Sequence, residues 1–260
     1  PQTPGKFGYA IDCGPLPVMR SVSADIRVER SADGDLIVRP DGSDFGASAT
    51  DETAAATALA LARWFLESGG APEGRGRMAA LMGRGVGVPA RFSAVRASSL
   101  AAAEPGPGPT AQGFLVGFPF GQMQAETLAE LSGHGTLRVT PWRMLLVEGA
   151  TDVPRNADLI TDPKDPLRRV VACTGAPGCP QALAATRPLA QSIAGQIPQG
   201  ALAHVSGCAK GCAHPSKAAL TLVARGPDGF DVVRKGRACD PPDVIGLSPA
   251  RILSNPDLLT

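Results

Sequence analysis

Residues 172–182 read ACTGAPGCPQA and residues 204–215 read HVSGCAKGCAHP. Between them they hold four of the chain's 6 cysteines, as two close pairs, Cys173/Cys179 and Cys208/Cys212, with glycine and proline in the gaps. No other feature limits the fold as strongly, because both segments must reach one place if the thiols act as a set. The spacing is Cys-x5-Cys followed by Cys-x3-Cys. Zinc sites usually separate paired cysteines by about two to four residues and often add histidine. A gap filled by Thr-Gly-Ala-Pro-Gly suits a loop that wraps something larger than one ion, and an iron–sulfur cluster takes four thiolates. Gly175, Gly178, Gly207 and Gly211 provide backbone that can approach closely and aim N–H groups at sulfur. Three readings stay open from this chemistry: an iron–sulfur cluster, a zinc site, and structural thiols or disulfides. Disulfide frameworks belong mainly to short, core-poor secreted chains, and this chain is long and rich in Ala, Val and Leu. Cys13 and Cys239 lie outside the pattern and read as buried bystanders.

A chain of 260 residues can bury one large or two modest cores. Lys plus Arg number 25 against 24 for Asp plus Glu, so no basic excess points to nucleic acid. Apolar runs such as RMLLVEG fall short of a membrane span, and the N-terminus lacks a charged-then-apolar signal. The expectation is a soluble, cytoplasmic protein with no nucleic-acid or membrane partner. Pro1-Gln2-Thr3 leads almost at once into the strand-like KFGYAID, which reads as a cut piece of something longer.

Residues 6–12 alternate as a strand, and 24–42 read as two strands around the Asp33-Gly34 turn signal. Residues 51–68 carry helix start and stop signals, acidic residues first and Gly69-Gly70 last, and GRMAALMGRG predicts a shorter helix. Residues 95–112 are small and Pro/Gly-rich and read as a linker. Residues 113–149 then predict strand, helix, strand, strand, half of a ferredoxin-like αβ sandwich. A strand entering Cys173, a helix over roughly 180–195 and a strand LAHVSG entering Cys208 follow. A hairpin over 218–236 and a short helix near 248–254 close the chain. Both cysteine pairs therefore sit where a strand ends, the usual place for sites in α/β structures. The hairpins RVERSADGDLIVRPDG and LVARGPDGFDVVRKG resemble each other, which suggests a duplicated α/β unit with a site between the halves.

With these motifs in place the chain resembles the sirohaem sulfite and nitrite reductase superfamily over nearly its whole length. The resemblance implies an α/β (α+β) fold of duplicated sulfite/nitrite-reductase-like lobes with a ferredoxin-like half-domain between them. Residues 1–100 look like the first lobe, 101–165 like the linker and half-domain, and 166–260 like the lobe that binds the cluster. On that resemblance, the upstream half-domain of the architecture is expected to be missing from these 260 residues. Within the superfamily, HVSGCAKGCAHP, RVTPWRMLLV and KFGYAID are most similar to the precorrin-3B synthase family of aerobic cobalamin biosynthesis. That resemblance implies a mono-oxygenase converting precorrin-3A to precorrin-3B with O2 and electrons from NADH or a reductase. It also implies a [4Fe-4S] cluster on Cys173, Cys179, Cys208 and Cys212 and, in the family, a non-haem iron centre.

The alternative is a sirohaem-dependent sulfite or nitrite reductase. Such enzymes carry Lys-Phe-Lys at the strand opening the first lobe, where this chain has Lys6-Phe7-Gly8, and a neutral glycine attracts an oxyanion poorly. They read Cys-Pro-Asn-Gly-Cys at the last pair, where this chain has Cys208-Ala209-Lys210-Gly211-Cys212. Both departures favour the synthase. A polycarboxylate tetrapyrrole calls for cations, for which guanidinium forks suit best. Lys6, Arg75, Arg77, Arg138, Arg143 and Lys210 lie in segments that face the cofactor in the resembled fold. His214 reads as a capping or buried histidine, with a ligand role as the competing reading.

Overall fold

The chain opens with β1 (Tyr9–Asp12), which pairs parallel with β2 (Ile26–Arg30); β2 then turns at Asp33-Gly34 into the antiparallel β3 (Leu36–Pro40). β4 (Phe45–Ser48), helices α1 (Ala54–Glu67) and α2 (Met78–Gly83), and β5 (Val95–Arg96) complete a five-stranded sheet in chain order. In this computed structural model, which describes residues 1–100, 102–156 and 158–259, these elements fall in one compact unit, Pro1–Pro105. The pleat explains its core. Ile26, Val28 and Val38 face α1, which buries Leu61, Ala62 and Phe65 at helical spacing. The intervening Arg27 and Glu29 are also buried, and each is paired, Arg27 with Asp41 and Glu29 with Arg39, both at 2.7 Å. Asp25, fully buried, accepts N–H groups from Gly8 (2.9 Å) and Met78 (2.7 Å) and the Arg77 Nε–H (2.9 Å). One carboxylate thereby ties the entry of β1 to the start of α2.

The second unit, Gly106–Thr260, holds two sheets. β6 (Gly108–Thr110), β7 (Gly113–Gly117), α3 (Ala125–Ser132), β8 (Leu137–Val139) and β9 (Met144–Glu148) form an antiparallel sheet of order β6-β7-β9-β8 over a core that includes Val116, Leu131 and Val147. The other sheet runs β10 (Val170–Ala172), β11 (Ala203–Ser206), β12 (Ala218–Gly226), β13 (Gly229–Gly236) and β14 (Val244–Leu247), again in chain order. Its first three strands are parallel and the rest antiparallel. α4 (Arg187–Ile193) and α5 (Pro249–Leu253) pack on one face, burying Leu189, Ile193, Leu222, Phe230 and Ile252. The chain is thus of the α/β class. No helix among the described residues is long and apolar enough to cross a membrane.

Four local expectations need correction. The linker over 95–112 contains β5 and β6, which exist because partner edges recruit them: β5 pairs with β4, and β6 returns on β7 through a tight turn closed by Thr110 Oγ1 donating to Gly113 O at 2.9 Å. β4 and β14 carry too little pattern of their own to be read locally. The helix expected over 180–195 is shorter, because the backbone from Ala182 to Ala184 is committed to other loops and Pro188 sets the helical start. Finally, Cys13 is half-buried rather than buried, and Cys239 is exposed on the turn that follows β13, closed by Asp240 N–H to Arg237 O.

Candidate functional site

β10 and β11 lie side by side and parallel, with Ala172 opposite Val205, so the chain leaves both strands at the same end of the sheet. Cys173 directly follows β10, and Cys208 is the second residue after β11. Backbone hydrogen bonds weave the two loops together. Cys173 N–H donates to Val205 O (3.2 Å), and Leu183 N–H donates to Gly207 O (2.8 Å). The Gly207 N–H points at the Cys173 sulfur, with N to Sγ at 3.1 Å. Cys179 is held by its own N–H to Gly175 O (2.8 Å) and accepts from Ala182 N–H (3.1 Å). Two hydroxyls anchor the cysteine carbonyls: Thr186 Oγ1 donates to Cys173 O and Ser206 Oγ to Cys208 O, both at 2.7 Å. All four thiols are free, three half-buried and Cys212 exposed. Among the described residues no three His, Cys, Asp or Glu side chains gather closely enough to hold a single metal ion.

The glycines are there for space. A side chain at Gly207 would stand 2.7 Å from the Ala182 Cβ and 3.4 Å from the Cys173 sulfur. Gly175, at φ +68°, would place a Cβ 2.6 Å from Thr186 Oγ1. Overpacking of this kind costs about 1–3 kcal/mol. Gly207→Val is therefore expected to lower the unfolding free energy by that amount in urea, while Gly195→Ala, which meets nothing within 4 Å, leaves it unchanged.

Sequence reasoning counts His204 among only three histidines, with His134 and His214, and gives it no role. It occupies β11, is fully buried, and neither ring nitrogen has a hydrogen-bond partner among the described residues. Its ring stands edge-on to that of His214, centroids 5.9 Å apart. His214 is half-buried, its Nε2 3.3 Å from Lys217 O. Burial, with a smaller contribution from His214, pushes the His204 pKa down to about 4 from an ordinary 6.5. The unfolded chain thus binds a proton between about pH 6.5 and 4 that the folded chain refuses, so stability is full above that window and falls as pH drops through it. Urea unfolding of the metal-free chain should show a loss of about 2 kcal/mol from pH 7 to pH 5, at about 1.36 kcal/mol per unit across the window. His204→Gln should flatten that slope. The signal in sequence was a titratable residue inside an otherwise apolar strand, with no pattern to say what it faces.

The expected cations are scattered in their roles. In the first unit Lys6 and Arg75 are exposed, while Arg77 is committed to Asp25, to Ser23 Oγ (2.8 Å) and to Ala24 O (3.2 Å). In the second unit Arg138 pairs with Glu148, and exposed Arg143 adopts φ +58° with its side chain along Gly121. Lys210 is exposed at the middle of the Cys208–Cys212 loop. A cavity of about 210 Å³ opens beside the same loops, lined in part by Leu183, Ala209, Val233, Ala238 and Cys239. The first unit has a separate, mostly apolar cavity of about 470 Å³ lined by Tyr9, Ile11, Cys13, Val28 and Leu59 among others.

Free thiols set in glycine-shaped loops at the ends of parallel strands make this an α/β protein with a paired-cysteine site. A precorrin-3B synthase from Sinorhizobium sp is 30% identical to it over 141 residues, covering 47% of this chain and 30% of that protein. The resemblance to precorrin-3B synthases read from the motifs is therefore shown over that part of the chain, which spans under a third of the relative. The structure of the Mycobacterium tuberculosis NirA protein aligns at a TM-score of 0.45 and 16% identity, covering 89% of this chain and 55% of that one. No protein-family model matches the chain.

Proposed function

We propose that this chain belongs to an oxidoreductase of cobalamin biosynthesis that converts precorrin-3A to precorrin-3B, with Cys173, Cys179, Cys208 and Cys212 holding a [4Fe-4S] cluster. The observation that carries this reading is the N–H of Gly207 aimed at the Cys173 sulfur, one residue before Cys208. A donor set of four soft thiolates suits iron–sulfur chemistry, and a backbone N–H on a ligand sulfur is the outer-shell contact such groups use. The absence of a side chain at Gly207 lets its backbone approach that same sulfur closely, which fits the reading as well. When bound, the cluster supplies electrons singly.

The chain's own residues then have defined tasks. Gly207 N–H stabilises charge on the Cys173 sulfur. Thr186 and Ser206 hold the backbone of Cys173 and Cys208 so that the thiols need little rearrangement. Exposed cations, Lys210 and Arg143 in the second unit and Lys6 and Arg75 in the first, are suited to the carboxylates of a reduced, methylated tetrapyrrole. Arg138 can join them only by leaving Glu148, and Arg77 is the least available of the six. The overall reaction places one atom of O2 in the substrate and releases the other as water, with an NADH-derived electron pair supplying the reduction.

Anaerobic reconstitution followed by iron and sulfide counts and a visible spectrum tests the reading. About four iron and four sulfide per chain with a broad, featureless shoulder is expected. Isobacteriochlorin bands after expression with a sirohaem source would turn the assignment to a sulfite or nitrite reductase. Zinc without sulfide would overturn both.

A further inference from the structure

His204 is the buried polar group that the proposed chemistry leaves unused, and its surroundings say where it faces. Ala203 and Val205 enter the core against α4; successive strand residues alternate, so His204 points to the opposite face of the sheet. There its Cε1 lies 3.7 Å from where a side chain at Gly211 would begin, and its ring meets that of His214 edge-on. Gly211 belongs to the Cys208–Cys212 loop and passes so close to the sheet that a side chain on it would also stand 3.0 Å from the Ala238 Cβ. The ring thus lies under the loop that carries the second cysteine pair.

A neutral imidazole has one N–H donor and one acceptor nitrogen. Buried groups of this kind are nearly always paired, and each one left unmade is costly. Here neither nitrogen of a fully buried ring has a partner among the described residues. Val223 and Val233 lie on the same face of the sheet and cluster with Ala238, and an apolar residue in place of His204 would not carry that cost. A histidine in this position calls for a partner from outside the polypeptide, and the adjacent loop is the one assigned above to the cluster.

We propose that His204 is the N–H donor that the cluster's sulfur takes up beneath the Cys208–Cys212 loop, and that this contact sets the reduction potential of the site. The inference rests on the cluster reading and adds a residue to it. Hydrogen bonds to sulfur favour the more negatively charged, reduced form and so raise the potential. His204→Phe keeps a ring of similar size without an N–H, whereas His204→Gln keeps an N–H without the ring.

The test is a redox titration of the anaerobically reconstituted 260-residue chain, followed by electron paramagnetic resonance, with iron and sulfide counted in each sample. His204→Phe is expected to keep its iron and sulfide yet become harder to reduce by about tenfold in the one-electron equilibrium constant, about 59 mV. His204→Gln should move the potential back toward that of the natural chain. Where His204→Phe does not fold, His204→Leu gives the same comparison. An unchanged potential in the phenylalanine or leucine variant, with the cluster retained, overturns the role of His204 alone, and a buried water would give that result. A natural chain that takes up no iron and sulfide overturns the cluster reading and this inference with it.

Discussion

Cys179→Ser is expected to empty the chain of its cluster, taking iron from about four per chain to near none, while Cys239→Ser keeps the full count. The contrast is informative because both thiols lie near the same loops. Cys179 is held in place by its N–H on Gly175 O and by the turn through Ala182 that leads to Leu183 and Gly207. Cys239 lines the cavity next to Ala209 and is exposed, so proximity alone would let it serve. Serine offers a harder oxygen that binds cluster iron poorly. Colorimetric iron and sulfide assays after identical anaerobic reconstitution read the difference directly. Equal loss in both variants would mean that the ligand set includes Cys239 and has to be redrawn.

Asp25→Ala should be the most damaging single change in the first unit, lowering the unfolding free energy by about 3–5 kcal/mol, the usual cost of breaking a buried ion pair. The carboxylate is fully buried and receives Gly8 N–H, Met78 N–H and the Arg77 guanidinium together. Its removal strands two backbone donors and a half-exposed cation, and unmade buried hydrogen bonds cost about 1–3 kcal/mol each. Asp25→Asn, which retains an acceptor oxygen, should fall between the two. Urea unfolding by circular dichroism gives the values, and a loss below about 1 kcal/mol for the alanine variant would show that the first unit does not depend on this junction. The same junction engages the Nε and Nη2 donors of Arg77 within the fold.

Much of the architecture was legible because it depends on local pattern. The Asp33-Gly34 hairpin, the Ala/Leu helix before Gly69, the hairpin of β12 and β13, and the strands entering both cysteine pairs all carry their own turn or periodicity signals. Where the reading failed, the cause was a partner. Gly108–Thr110 has no strand character except in being adjacent to β7, and Val95–Arg96 exists as a strand because β4 presents an open edge. The stretch 180–186 has helical composition, yet its N–H groups serve Cys179 and Gly207 instead. The surroundings of His204 were illegible for the same reason: a lone histidine in AHVS says nothing of what lies across the sheet.

The amino-acid order alone determined the α/β class, the two thiol pairs with their glycine spacing, and the likeness to precorrin-3B synthases, since each is written in contiguous residues. The tertiary structure decided that Cys173 receives the Gly207 N–H, that Asp25 binds Arg77, and that His204 is buried beneath Gly211 with no hydrogen-bond partner among the described residues. Those facts arise from segments brought together across 34, 52 and 7 residues of chain respectively. Parallel strand pairing and burial create such contacts, and neither propensity nor spacing along one segment encodes them.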